Sequence, residues 1–301
     1  MNKEEKFLEI IAKTLTNSAF LGDDCAYLKA KNIVISQDAL VEGVHFRLDT
    51  ISAHDLGKKA LLVNISDILA SGAKPDYITV SVSGKLNENF IENFYKGVNE
   101  ICQKYDVEVI GGDLTGGNQL VISISILGNT EGRNISSRKN VKPGYIVLLA
   151  GEHGSSAQGL AILSGQISEK HCYDNTFREH FIKAHIEPTL YPKISETIAI
   201  TAKEPYAMMD TSDGLYDALK KVSEASAVGF EVDFDKIPRR VNDAKKVLFG
   251  GEDFGLLICL SREDYDRVKH LGLPVIAKAT EEKIILIDGV RIQEDERFAH
   301  F

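Results

Sequence analysis

The chain has 301 residues, 44% of them hydrophobic and 26% charged, the make-up of a globular protein large enough for two domains. A formal net charge of −9, with no long run of like charges, excludes a phosphate-backbone binder, so no nucleic acid is expected as a partner. No window holds the roughly 18 consecutive apolar residues of a membrane span, and no membrane is expected as a partner.

The elements follow in chain order. "MNKEEKFLEIIAKTL" reads as an amphipathic helix rather than a signal peptide, because acids interrupt it. "NIVIS" (32–36) reads as a buried strand that ends in Ser36-Gln37-Asp38, with Ser36 or Asp38 a candidate N-cap. The run 53–72 reads as a helix with Asn64, Ser66 and Asp67 in its interior, where such side chains compete for backbone hydrogen bonds. "DYITVSVSG" (76–84) and "QLVISISILG" (119–128) alternate polar and apolar residues, as half-covered antiparallel strands do. Between them come a helix (88–105) and the strand "VEVIGG" (107–112), and "GGDLTGG" (111–117) reads as a Gly-rich turn holding Asp113.

A charged Pro-Gly turn in "SRKNVKPGYIVLLAG" (137–151) opens a new buried strand and marks the domain boundary, giving residues 1–140 and 141–301. The second part reads as helix 154–165, two helices over 176–202, strand Ala207–Met209, helix 213–225, strands at 229–234 and 255–260, and helix 262–271. The fold class is α+β (mixed α/β) in two domains, the first with an antiparallel-rich sheet, the second an α/β unit. Cys25, Cys102, Cys172 and Cys259 form no CxxC pair and read as reduced thiols, consistent with a cytoplasmic protein.

Six short stretches place acids beside Gly, Ser or Thr at the edges of apolar elements: "LGDDCAYL", "SQDALVEGVHF", "NISD", "GGDLTGG", "MDTSDGL" and "FGGEDFGLL". Each alone has a structural reading as a turn or a cap; in "MDTSDGL", Ser212 or Asp213 is the candidate cap, which leaves Asp210 unexplained. Strand ends and helix starts are also where ligands sit in such sheets. Asp24, Asp38, Asp67, Asp113, Asp210 and Asp213 could share one cleft only with cations between them, because their mutual repulsion would otherwise be severe. Mg²⁺ commonly bridges a few carboxylates to substrate phosphates, so a Mg²⁺–polyphosphate site resolves the difficulty.

Taken together, and in order from about residue 21 to 257, these stretches resemble the thiamine-monophosphate kinase family. That family belongs to the superfamily of aminoimidazole-ribonucleotide synthetase, and "VEGVHF", "TSDGL" and "GGEDF" point to the thiamine branch. The resemblance implies transfer of the γ-phosphate of ATP to thiamine phosphate, giving thiamine diphosphate, by a homodimer that pairs through its N-terminal strands. It implies Mg²⁺ ligands at Asp24, Ser36, Gln37, Asp38, Asp67, Asp113, Asp210 and Asp213, with Asp38, Asp67 and Asp113 carrying the electrostatic and positioning work. ATP contacts are implied at Tyr95, Gly112, Asp113, Arg138 and Ser212, and thiamine-phosphate contacts at His45, Glu252 and Phe298, near the end match "FAHF". Asp253 competes with Glu252 for its role. Gln37 departs from the family, which usually has a hydroxyl residue there.

The acceptor is a phosphate monoester with a second pKa of about 6, already largely ionised at neutral pH. No general base is required, and catalysis reduces to positioning and charge neutralisation. Two alternatives stand beside this reading. One is another ATP-dependent enzyme of the superfamily, although a selenophosphate synthetase would need a reactive cysteine followed by lysine, and the hydrogenase maturation factor a C-terminal cysteine. The other is a non-catalytic Mg²⁺/nucleotide-binding regulator, hinted at by Gln37.

Overall fold

The computed structural model describes residues 3–16, 22–167 and 175–292. The first part runs α1 (Lys3–Thr14), β1 (Ala26–Leu28), β2 (Ile33–Val41), α2 (Ala53–Ser71), β3 (Lys74–Gly84), α3 (Glu88–Tyr105), β4 (Glu108–Gly116) and β5 (Val121–Asn129). Its sheet has the order β1-β2-β5-β3-β4, antiparallel throughout except for the parallel pair β3–β4. The alternation in β3 and β5 does what the sequence implies. Ile78, Val80, Val82, Ile122, Ile124 and Ile126 are buried in the first hydrophobic core together with α2 and α3. On the other face, Gln37 donates to Ser123 Oγ and accepts from Ser125 Oγ.

Two local readings are corrected. Ser36-Gln37-Asp38 is mid-strand in β2, so none of the three caps a helix. "GGDLTGG" is not a turn: β4 continues through it to Gly116, paired with β3 from Gly111↔Thr79 to Gly116↔Gly84. The glycines permit this, since a Cβ on Gly112 would lie 2.0 Å from the Val80 carbonyl oxygen.

The second part carries β6 (Ile146–Ala150), α4 (Ser155–Leu163), α5 (Asn175–Ile186), α6 (Pro192–Thr201), β7 (Ala207–Asp210), α7 (Leu215–Ser226), β8 (Gly229–Val232), α8 (Ala244–Phe249), β9 (Leu256–Leu260), α9 (Arg262–Val268), β10 (Val275–Thr280), β11 (Ile285–Ile287) and β12 (Val290–Arg291). Its sheet is ordered β12-β11-β8-β10-β6-β9-β7, with β8–β11 parallel. Two further hydrophobic clusters hold it.

The joint between the parts is α2. It is buried over nearly its whole circumference, which explains why it reads as core rather than as an amphipathic helix. One side packs under the first sheet and against α3, so tightly that a Cβ on Gly57 would meet the Phe94 carbonyl oxygen at 2.1 Å and one on Gly97 the His54 carbonyl oxygen at 1.9 Å. The other side enters the second part. Ala70 joins the cluster of Ile198, Met208 and Leu256, and Ser195 Oγ donates to the Leu69 carbonyl at 2.6 Å.

Candidate active site

The polar interior of α2 is what binds it to both sheets. Asn64 Nδ2 donates to the Ala60 carbonyl at 2.9 Å, and Asn64 Oδ1 accepts the Asp38 backbone N–H at 3.1 Å, tying the helix to β2. Ser66 Oγ donates to Asp210 Oδ2 at 2.7 Å, at the end of β7. Asp67 Oδ2 accepts Ser36 Oγ at 2.5 Å. The Asn, Ser and Asp that look wrong for a helix interior each bond a different neighbour, and two of those bonds converge on carboxylates.

Asp24, in the turn before β1, joins Asp67 and Asp210, and the three carboxylates offer oxygens all within 4.8 Å of one another. Burial, and then the nearby Asp38, Asp210 and Asp24, push the Asp67 carboxyl well above the usual range, against the pull of Ser36. Burial, with Asp24 and Asp38, raises Asp210 to about 7, although Ser66 and Ser212 oppose the rise. Three hard oxygen donors that repel one another in a buried place suit a divalent cation such as Mg²⁺. Arg138 Nη2 sits 2.5 Å from Asp24 Oδ1, and Asp23 accepts the Arg138 backbone N–H and Ser137 Oγ, each at 2.8 Å, so the arginine is held at the cluster.

Ser212 Oγ donates to Asp210 at 2.9 Å. Neither Ser212 nor Asp213 caps α7: the N-cap is Gly214, with no side-chain cap bond. Asp213 pairs with Lys221 Nζ at 2.7 Å. Burial alone would lower the Lys221 pKa, but Asp213 and Asp217 raise it well above the usual lysine value. Cys25 is buried, donates its thiol to the Asp67 carbonyl at 3.4 Å and has its pKa driven well up by burial and by Asp67, which makes it inert. Cys102 and Cys259 are also free thiols, and Cys172 lies outside the described residues.

Beside the cluster opens a cleft of about 560 Å³, within the usual range of small-molecule sites. Its lining combines Asp38, Asp67, Ser212 and Asp213 with the apolar Leu40, Val44, Phe46, Leu160, Phe249 and Phe254, and with Arg47, His45, His185 and Glu252 among its further polar residues. His45 Nδ1 accepts the Val41 backbone N–H at 3.0 Å, which places the ring proton on Nε2 when the ring is neutral. Glu252 stands at φ +64, its N–H donating to the Ser212 carbonyl at 2.6 Å. Its competitor Asp253 is accounted for structurally, because its two oxygens accept Gly154 N and Ser156 N at 2.6 and 2.9 Å at the start of α4.

Four expected residues, Gln37, Gly112, Asp113 and Tyr95, belong neither to the lining of the cleft nor to the carboxylate cluster. Gln37 is corrected as a metal ligand: strand alternation turns it to the opposite face from Ser36 and Asp38, where it bonds Ser123 and Ser125. Asp113 is exposed on β4 and accepts Thr115 Oγ1 at 3.0 Å, away from the three-carboxylate cluster, with Gly112 beside it. Tyr95 sets its ring edge-on to Phe94 and packs against the first core. Phe298 lies outside the described residues. Sequence reasoning missed Lys59, His185 and Arg47. For Lys59 a signal existed: Lys59, Val63 and Asp67 recur at i, i+4 and i+8 on one face of an otherwise apolar helix.

Residues 22–130 match the family model of the AIR synthase related protein N-terminal domain, and residues 142–284 match that of its C-terminal domain. The thiamine-monophosphate kinase of Bacillus subtilis (strain 168) is 34% identical over 95% of this chain and 94% of its own length. The chain belongs to the thiamine-monophosphate kinase family. The relative from Aquifex aeolicus (strain VF5) is 31% identical over 98% of the chain and 96% of its own length. Among solved thiamine-monophosphate kinase structures, AaThiL complexed with AMPPCP and TMP superposes with a TM-score of 0.88 at 29% identity, over 100% of this chain and 99% of that one. The family's α+β two-domain architecture is therefore the one described above, with one matched unit in each part.

Proposed function

We propose that the protein phosphorylates thiamine phosphate to thiamine diphosphate with ATP as donor, in the cleft between its two parts. The observation that carries this is the convergence of Asp24 and Asp67 from one part with Asp210 from the other, next to a cleft that Asp67 lines together with Leu40, Phe46, Phe249 and Phe254. The likeness to the named kinases, and to a structure complexed with AMPPCP and TMP, supports the substrate pair.

Asp24, Asp67 and Asp210 would hold Mg²⁺, with Asp38, Asp213 and the Ser36 and Ser212 hydroxyls around them. When bound, the cation neutralises the approaching phosphates. This chain's own residues do the rest. Arg138 adds a fixed positive charge beside Asp24. The apolar lining residues receive the rings of the acceptor, and Glu252 at the cleft offers a carboxylate to its cationic thiazolium. His45, with Nδ1 accepting a backbone N–H, presents Nε2 as a donor to the acceptor. No side chain is needed as general base, because the acceptor phosphate is already ionised.

The proposal extends to a homodimer in the cytoplasm. β4 is an edge strand whose Val109, Ile110 and Leu114 are 40, 54 and 56% exposed, the kind of edge that pairs with another copy. Gly112 and Asp113 lie on β4 itself, and in a pair they would serve the phosphate site across the two-fold. Among the described residues no helix is long and apolar enough to cross a membrane.

Incubation with ATP, Mg²⁺ and thiamine phosphate, followed by chromatography for thiamine diphosphate, tests the reading. Nucleotide binding without product would favour the regulator instead.

A further inference from the structure

We propose that Lys59 is a positioning residue for the phosphoryl acceptor: from α2 it fixes the Glu252 carboxylate at the acceptor end of the cleft, at a set distance from the carboxylate cluster. The inference rests on the proposed kinase reading and assigns to it a residue that neither lines the cleft nor belongs to the aspartate set.

Lys59 is 1% exposed, and its Nζ lies 3.1 Å from Glu252 Oε1. The other carboxylate oxygen, Oε2, lies 3.3 Å from His185 Nδ1, and His185 in turn contacts Ser156 Oγ at 3.1 Å. Burial, and next Lys59, depress the His185 pKa to about 4, so at neutral pH the ring is uncharged and Lys59 supplies the charge opposite Glu252. Glu252 itself is 26% exposed and lines the cleft, in a backbone conformation (φ +64) that a non-glycine residue holds only when its surroundings enforce it. One constraint is the backbone bond to Ser212; the other is the ion pair.

The pair also spans the two parts of the molecule, since Lys59 is on α2 and Glu252 lies between α8 and β9. Lys59 and Asp67 are on one helix face, about 12 Å apart along the axis at 1.5 Å per residue. A rigid helix thus carries a metal-site ligand near one end and the anchor of the acceptor carboxylate two turns earlier. The spacing between donor phosphate and acceptor rings is then a property of α2 and not of a loop.

The test is a double-mutant cycle with Lys59→Met and Glu252→Gln in the full-length protein, measuring KM for thiamine phosphate and for MgATP separately. Lys59→Met is expected to raise KM for thiamine phosphate about tenfold while KM for MgATP stays within about twofold. The double variant is expected to behave like Glu252→Gln alone, because Lys59 acts through Glu252. If Lys59→Met does not fold, Lys59→Gln, which keeps a donor of shorter reach, replaces it in the cycle. An unchanged KM for thiamine phosphate, effects that multiply in the double variant, or an equal loss for MgATP would overturn the proposal. A wild-type protein that makes no product removes the kinase reading itself, an outcome separate from an active wild type indifferent to Lys59.

Discussion

Asp67 shows the cost and the use of a carboxylate in a dense place. Its carboxyl is raised by burial and by three neighbouring acids, so in the metal-free protein it opposes folding when ionised. Asp67→Asn keeps the shape and still accepts the Ser36 hydroxyl, but removes one charge. Activity is expected to fall roughly 10²-fold or more, on the scale of lost electrostatic transition-state contacts. The metal-free melting temperature should rise, not fall. Initial rates and a thermal melt in EDTA check both halves, and a variant with wild-type rate would place Asp67 outside the reaction. Asp253 allows a pH prediction clear of the metal cluster. Burial raises it to about 7, against the backbone N–H groups of Ser156, Gly154 and Ser155 that pull it down. A carboxyl whose folded pKa exceeds its unfolded value of about 3.9 binds more protons in the native state, so its contribution declines as pH rises from about 4 to about 7. The stability lost on Asp253→Asn should therefore be greatest near pH 4 to 5 and shrink toward pH 8. Denaturant melts of both proteins across that range test the sign. His153 and His185, both lowered to about 4 chiefly by burial, contribute with the opposite sign in both proteins and cancel in the comparison.

At the scale of elements, β4 carries the sharpest expectation. Ile110→Lys with Leu114→Lys places charge on an exposed apolar edge and touches no core residue. The pair of substitutions should shift a dimer to a monomer, read by light scattering at micromolar concentration; a wild type that is already monomeric there would remove the dimer from the proposal. The same strand shows where sequence is a weak guide. Alternation made β3 and β5 legible, and apolar runs made β6 and β9 legible, because each side chain reports its own face. "GGDLTGG" carries no such report: glycines have no side chain to alternate, and only the Val80 carbonyl opposite Gly112 shows why they continue a strand. Gln37 misled in the other direction. A motif aligned it with ligands, while the period of two in β2 already set it on the face away from Ser36 and Asp38. Six aspartates stood out in the sequence as candidates for one shared partner, but that Asp24, Asp67 and Asp210 form the inner group, while Asp113 stands away from it on β4, depends on contacts between residues far apart in sequence. Lys59 went unread because its partner lies in the other half of the chain.

For the whole molecule, the cluster is assembled from both parts, so a cation bound there bridges them. Mg²⁺ is expected to raise the melting temperature in a single cooperative calorimetric transition, and EDTA to reverse the shift and abolish turnover. Two separated transitions, with only one moved by Mg²⁺, would mean that the cation is held by one part alone.

The burial of α2 on all sides has a consequence for dissecting the protein. The linker near residue 140 looks like a natural place to cut. Yet a fragment ending there would keep Lys58, Lys59, Ser66, Leu69 and Ala70 on its central helix while losing what covers them: Glu187 for Lys58, Glu252 for Lys59, Asp210 for Ser66, Ser195 for the Leu69 carbonyl and the Ile198–Met208 cluster for Ala70. It would bare an apolar seam holding the buried Lys59 charge without its partner, a surface that favours self-association over solubility, although Lys58 would keep Asp55. The two halves match as separate sequence units but are not expected to fold autonomously, and attempts to trade one half between relatives would have to carry both sides of that seam.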